Sequence, residues 1–165
     1  MRYAMLLRGI NVGGVKVPMA DLRGLLAELG LTEVRTWLAT GNVVFESDDP
    51  AEALRPRIEE ALTERFGYDA HVQILPHARL REIAEAWPFE PRADHHRYVL
   101  FCDAPEVIDE LVAAGDADVR AGEGVVYWSC LKGSTTDMPF AKVLAKKRFK
   151  ASTTNRNVNT IESML

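Results

Sequence analysis

Residues 8–17 read RGINVGGVKV. Gly9, Gly13 and Gly14 fall close together around Asn11, with Arg8 and Lys16 on either side. Glycine admits backbone conformations with positive φ and lets a ligand approach the main chain closely. Between a strand and a helix start, such a loop turns N–H groups outward where the helix dipole favours negative charge. The chemistry on offer is recognition of an anion, with Arg8 and Lys16 supplying charge. The named phosphate loops are not reproduced. Gly9 and Gly14 have the separation of G-x-x-x-x-G-K-[ST], but Val15 stands where the lysine belongs, and Val17 follows Lys16, so no hydroxyl is placed for magnesium. Asn11 occupies the middle glycine of G-x-G-x-x-G. A purely structural turn with positive φ at two or three residues is the alternative.

A second polar stretch, STTNRNVNTI (152–161), gathers seven polar residues around Arg156. Read as the start of a helix over about 156–164, it offers Thr153, Thr154 or Asn155 as a cap. That helix puts Arg156, Asn159 and Thr160 on one face. Arginine and amide side chains recognise phosphate or carboxylate; they equally staple a terminal helix to loop carbonyls. The remaining chemistry is sparse. His95 and His96 are adjacent, a spacing that seldom shares a metal, and H-x-x-x-H and C-x-x-C are absent. Neither His71 nor His77 has a visible serine or cysteine partner. Glu59 and Glu60 suit a solvated helix face. Asp21, one turn into the helix after the glycine loop, either faces a ligand or supports the helix start. Nothing in these spacings calls for a metal or a cofactor.

The elements that must position these groups follow from periodicity. RYAMLL (2–7) reads as a strand, and Leu22, Leu25, Leu26 and Leu29 mark one face of a helix that Gly30 ends. VRTWLATGNVVFES (34–47) reads as two strands around Thr40-Gly41-Asn42. A helix over 51–66, carrying Pro56, and a strand over 70–75 complete β-α-β-β-α-β, the ferredoxin-like split motif. The second half echoes it loosely as α-β-α-β-β-α-α: a helix over 77–86, a strand over 97–102, a helix from Pro105, strands over 117–131, a basic helix over 139–148 and the last helix. The expected fold is α+β, two ferredoxin-like halves with antiparallel sheets packed side by side, 1–76 and 77–165, joined near PFEPRAD (88–94). The same strand order serves RNA recognition, which wants aromatics on the first and third strands. Only Tyr3 and Phe45 stand there.

Of 165 residues, 47% are hydrophobic and 27% charged, an ordinary globular balance. Met1 leads straight into the first strand with no leader pattern, and no apolar run approaches bilayer length, so a soluble, cytoplasmic protein without membrane contact is expected. Cys102 and Cys130 read as free, strand-borne thiols. The net charge of −4 is uneven: residues 131–165 carry seven basic and two acidic side chains, the first 130 residues 13 and 22. A basic end attracts an anionic ligand or a nucleic acid, unless it is only a solvated helix face.

The strings LLRGINVGG, MADLRGLL, TGNVVFES and TTNRNVNTI resemble the domain-of-unknown-function 1697 (DUF1697) family over nearly the whole chain. The resemblance implies a small, mostly bacterial protein with two ferredoxin-like halves, and it brings no established activity. By position, the family-like residues are Arg8, Gly9, Asn11, Gly13, Gly14, Asp21, Leu22, Gly41, Asn42, Thr154, Arg156, Asn157, Asn159 and Thr160. Val158 stands where the family usually has tryptophan, either a lost stacking group or a smaller core plug. Asn155 replaces a usual threonine. The expectation is a binding module for a phosphate-bearing small molecule, held by Arg8, Gly9, Asn11, Gly13, Gly14, Lys16, Asn42, Arg156, Asn157 and Asn159. The alternatives are an enzyme on the same pocket with Asp21 or Lys16 as acid or base, nucleic-acid association through 142–156, and polar motifs that only lock the halves together.

Overall fold

The computed structural model describes residues 1–134 and 137–165. The chain divides into two compact units, Met1–Glu82 with Ser163–Leu165, and Ile83–Glu162.

In the first unit, β1 (Arg2–Leu7), β2 (Thr32–Trp37), β3 (Asn42–Glu46) and β4 (Val72–Pro76) form an antiparallel sheet in the order β2-β3-β1-β4. Helices α1 (Met19–Glu28) and α2 (Ala51–Phe66) pack on it. Their core joins Met5, Leu7 and Phe45 of the sheet to Leu22 and Leu26 of α1 and Leu54, Ile58 and Leu62 of α2. Pro56 lies inside α2 and withholds one helical hydrogen bond. The buried stripe at 54, 58 and 62 offsets that loss. α3 (His77–Glu85) follows β4 directly, and His77 Nε2 lies 2.8 Å from the carbonyl oxygen of the buried Met164.

The second unit contains β5 (His95–Cys102), α4 (Pro105–Ala114), β6 (Val119–Ala121), β7 (Val125–Leu131), α5 (Pro139–Leu144), α6 (Lys147–Lys150) and β8 (Thr153–Asn157), before α7 (Val158–Ser163). Its antiparallel sheet runs β6-β7-β5-β8, the same permutation as the first. The expected loose echo is thus a full second βαββαβ. The difference is β8, which the polar pattern read as a helix start. Its register sets Thr154 against Phe101 and Arg156 against Val99, pairing the second edge of β5. The last helix begins at Val158, not 156, so its N-cap is Asn157 rather than Thr153, Thr154 or Asn155: Asn157 Oδ1 accepts from Asn159 N at 2.8 Å. Arg156 therefore shares no helix face with Asn159 and Thr160.

The expected basic helix over 139–148 is also two helices, α5 and α6, broken at an extended Lys146 (ψ 136°). Phe140 and Phe149 both enter the core with Leu111 and Trp128. On one continuous helix they would point roughly 180° apart; the break turns both inward. Val158 is fully buried, so it is a core plug in this chain. Cys102 and Cys130 are both thiols outside any disulfide. No described helix is long and apolar enough to cross a membrane, and among the described residues no group of three or more His, Cys, Asp or Glu could hold a metal ion.

Candidate anion-binding loop

The loop leaves the end of β1, a central strand. Leu7 N donates to Gly41 O at 2.9 Å on one side, and Arg8 N donates to His71 O at 3.2 Å on the other. Gly41, in the β2–β3 turn, has φ +86°, and a Cβ there would sit 2.7 Å from Leu7 Cβ and 2.9 Å from Ile10 Cδ1. Glycine is required at that close approach.

Two apolar pegs, Ile10 and Val17, bury themselves in the core at the two ends of the loop. Asn11 ties the span between them. Its Oδ1 accepts from Val17 N at 3.0 Å, and its Nδ2 donates to Val17 O at 3.2 Å and Ala39 O at 2.6 Å. Its φ of +55° suits asparagine better than most side chains. The carboxamide thus clamps the loop to itself and to the neighbouring turn.

Outside these anchors the chain is exposed. Gly13 and Gly14 follow each other at φ +56° and +85°, and added Cβ atoms would meet nothing within 4 Å. Val15 N donates to Val12 O at 3.1 Å, closing a turn around the pair. Among the described residues, the N–H groups of Gly13 and Gly14 have no acceptor. Asn11, Gly13, Gly14 and Lys16 line one concavity of about 410 Å³ together with Val12, Val15 and Pro18. Lys16 is exposed and makes no ion pair among the described residues. α1 starts immediately after, capped by Pro18 without a side-chain hydrogen bond, with Asp21 in its first turn. That carboxylate already uses part of the helix dipole.

The other sequence candidates are not among the residues that line this concavity. Arg8 and Gly9 precede the concavity. Asn42 is fully buried at the start of β3, and its Nδ2 donates to Trp37 O at 2.9 Å and Thr40 Oγ1 at 2.8 Å, stitching the turn. Arg156, Asn157 and Asn159 belong to the second unit. Arg156 is only 9% exposed, and burial pulls its guanidinium down to about 10; its Nη1 donates to Asn155 O at 2.9 Å. Asn157 caps α7, and Asn159 Oδ1 accepts from Arg97 at 2.8 Å. What the sequence reading missed is the apolar part of the loop: Val12 is 64% exposed beside the glycine pair. Its signal was Val12 alone, an apolar residue beside the glycine pair, since Val17 is a core peg and Val15 packs partly against the core.

Among known proteins, homoserine O-succinyltransferases of Pseudomonas paraeruginosa and of Pseudomonas aeruginosa strain LESB58 are each 31% identical over 142 residues, 85% of this chain and 36% of theirs. The chain spans about a third of the length of these curated relatives. A solved structure, that of the conserved bacterial protein SP0830 from Streptococcus pneumoniae, superposes with a TM-score of 0.83 at 29% identity, covering 99% of this chain and 96% of that one. Residues 1–127 match the family described as Protein of unknown function (DUF1697), and on that match the chain belongs to this family.

Proposed function

We propose that the protein binds a small phosphate-bearing anion at the glycine loop of its first unit. The observation that carries this reading is the Gly13-Gly14 pair: two successive N–H groups in a positive-φ turn, without an acceptor among the described residues, beside the exposed Lys16. Consecutive backbone N–H groups in a turn form a concave anion seat. Val12, Val15 and Pro18 in the same lining favour a ligand that carries an apolar body next to its charge. Asn157 caps α7 and Asn159 accepts from Arg97, so this reading is argued from the loop. The likeness to proteins named homoserine O-succinyltransferase adds succinate to the candidate anions, because a succinyl group carries a carboxylate.

The test is a thermal-shift series with inorganic phosphate, AMP and succinate on wild type and Lys16→Glu. The substitution lies on an exposed side chain and should leave the unliganded midpoint almost unchanged. A ligand at 100 times its Kd stabilises by about 2.7 kcal/mol. A shift with phosphate or AMP in wild type that disappears in Lys16→Glu supports the reading. No shift with phosphate or AMP, a shift with succinate alone, or a shift that survives Lys16→Glu overturns it.

A further inference from the structure

A second concavity, of about 430 Å³, lies wholly within the second unit and is lined by Trp87, Pro91, Arg92, Ala93, His95 and Arg97. It shares no residue with the glycine loop. Its composition is unlike a solvated surface hollow: an indole, two guanidiniums and an imidazole converge on it.

Each group is held from behind. The Trp87 ring meets Phe89 edge-on at 5.3 Å and Tyr127 edge-on at 5.9 Å. The segment carrying it is fixed by Arg120, whose guanidinium sits 5.0 Å over Phe89 and donates to Pro88 O at 3.2 Å. Arg92 is anchored by Asp118 at 2.7 Å. Arg92 Nη1 also lies 3.4 Å from His95 Nε2, and His95 Nδ1 lies 2.9 Å from Asp94. Arginine can only donate, so Nε2 accepts in the tautomer whose proton sits on Nδ1, facing the Asp94 carboxylate.

Arg97 is the decisive group. All its hydrogen bonds leave from Nη2, to Asn159 Oδ1 at 2.8 Å and to the two Glu162 oxygens at 3.4 and 3.3 Å. The guanidinium has five N–H donors. Those on Nε and Nη1 therefore have no acceptor among the described residues. α7 thus fixes the orientation of Arg97 through one nitrogen and leaves the rest of the fork free. An oriented guanidinium with spare donors recognises carboxylate or phosphate oxygens. An aromatic wall beside it suits a flat ring.

We propose that this concavity binds a small organic anion built on a flat ring, the ring against Trp87 and the carboxylate or phosphate oxygens on Arg97 and Arg92. Shared recognition by both arginines covers either anion, and the probes separate them.

The experiment is tryptophan fluorescence titration of the full chain with phenyl phosphate, benzoate, inorganic phosphate and benzyl alcohol. Phenyl phosphate or benzoate should give a saturable change that vanishes in Trp87→Phe, while Trp37 and Trp128 still report a folded chain. Arg97→Gln, which keeps an amide donor toward Asn159, should weaken binding at least tenfold, as should Arg92→Gln, which breaks a partly exposed ion pair with Asp118 and the long contact to His95. Lys16→Glu should leave the titration unchanged, so failure of the glycine-loop reading would not touch this one. A response to phenyl phosphate alone assigns a phosphate ligand, and one to benzoate alone a carboxylate. No saturable response to either probe, a response that survives Trp87→Phe, or equal binding of benzyl alcohol overturns the proposal.

Discussion

The two units repeat one topology, yet they join their first strand to their first helix in different ways. Between β5 and α4 lie only Asp103 and Ala104, whereas residues 8–18 separate β1 from α1. The short connection shows what the topology requires. Cys102 ends its strand where Leu7 ends β1, and Pro105 starts a helix almost at once. The additional residues of the first connection carry three positive-φ glycines, an asparagine clamp and an exposed lysine. They also carry their own anchors, Ile10 and Val17, so the segment is built rather than merely long. Fold economy does not explain it, which is why the loop and not the strand order points to function.

The comparison can be broken at its short side. Burial, reinforced by Asp103, pushes the Cys102 thiol up from 9.0 to about 12. At pH 8 iodoacetamide should therefore label Cys102 about a thousandfold more slowly than a free thiol, because only the thiolate reacts. Since the folded value is the raised one, the stability it contributes is full below pH 9 and is lost as pH rises from 9 to about 12. Rapid labelling at pH 8 would show that the tight connection opens, and the contrast with the long loop would fail.

On the long side, the largest stability loss belongs to Gly41→Ala. It combines a positive-φ penalty of about 1–2 kcal/mol with an overpacking cost of about 1–3 kcal/mol against Leu7 and Ile10. Urea unfolding should show a drop of about 3 kcal/mol. Asn11→Ala follows, at about 2 kcal/mol, from the lost clamp bonds and the left-handed backbone. Hydrogen exchange should locate the loosening in the loop; a uniform loss across the unit would mean that Asn11 is no clamp. The smallest effect has the opposite sign. Tyr68 Oη is buried without a partner among the described residues, and burial raises its pKa to about 12. Tyr68→Phe should raise stability by about 1 kcal/mol in the same assay, since an unmet buried hydroxyl carries a desolvation cost.

The first unit was legible because its pattern is apolar. The leucines of α1 and the 54-58-62 stripe of α2 announce their faces, and the glycines announce the loop. The second unit was less so where polar residues do structural work. β8 reads TTNRN, and its buried positions hold hydroxyls and a guanidinium instead of valine or isoleucine, so no strand alternation shows. Asn42 illustrates the same difficulty at the site: a buried amide that stitches a turn and an amide that awaits a ligand look alike in one dimension. The break between α5 and α6 follows only from the demand that Phe140 and Phe149 share a core. The Trp87 and Arg97 concavity was hidden because its groups come from a connecting segment and a strand, with no fixed spacing to mark them.

The first unit contains Ser163–Leu165, and Met164 is buried there with its carbonyl 2.8 Å from His77. The whole second unit is thus an insertion within the first. During vectorial synthesis, residues 1–82 leave the ribosome long before Met164 exists. The core cluster of the first unit draws on residues between Tyr3 and Ile74, whereas the contact between His77 and Met164 can form only after the intervening residues have been translated. The first unit is therefore the last to be completed, although its strands and helices are the first to be made.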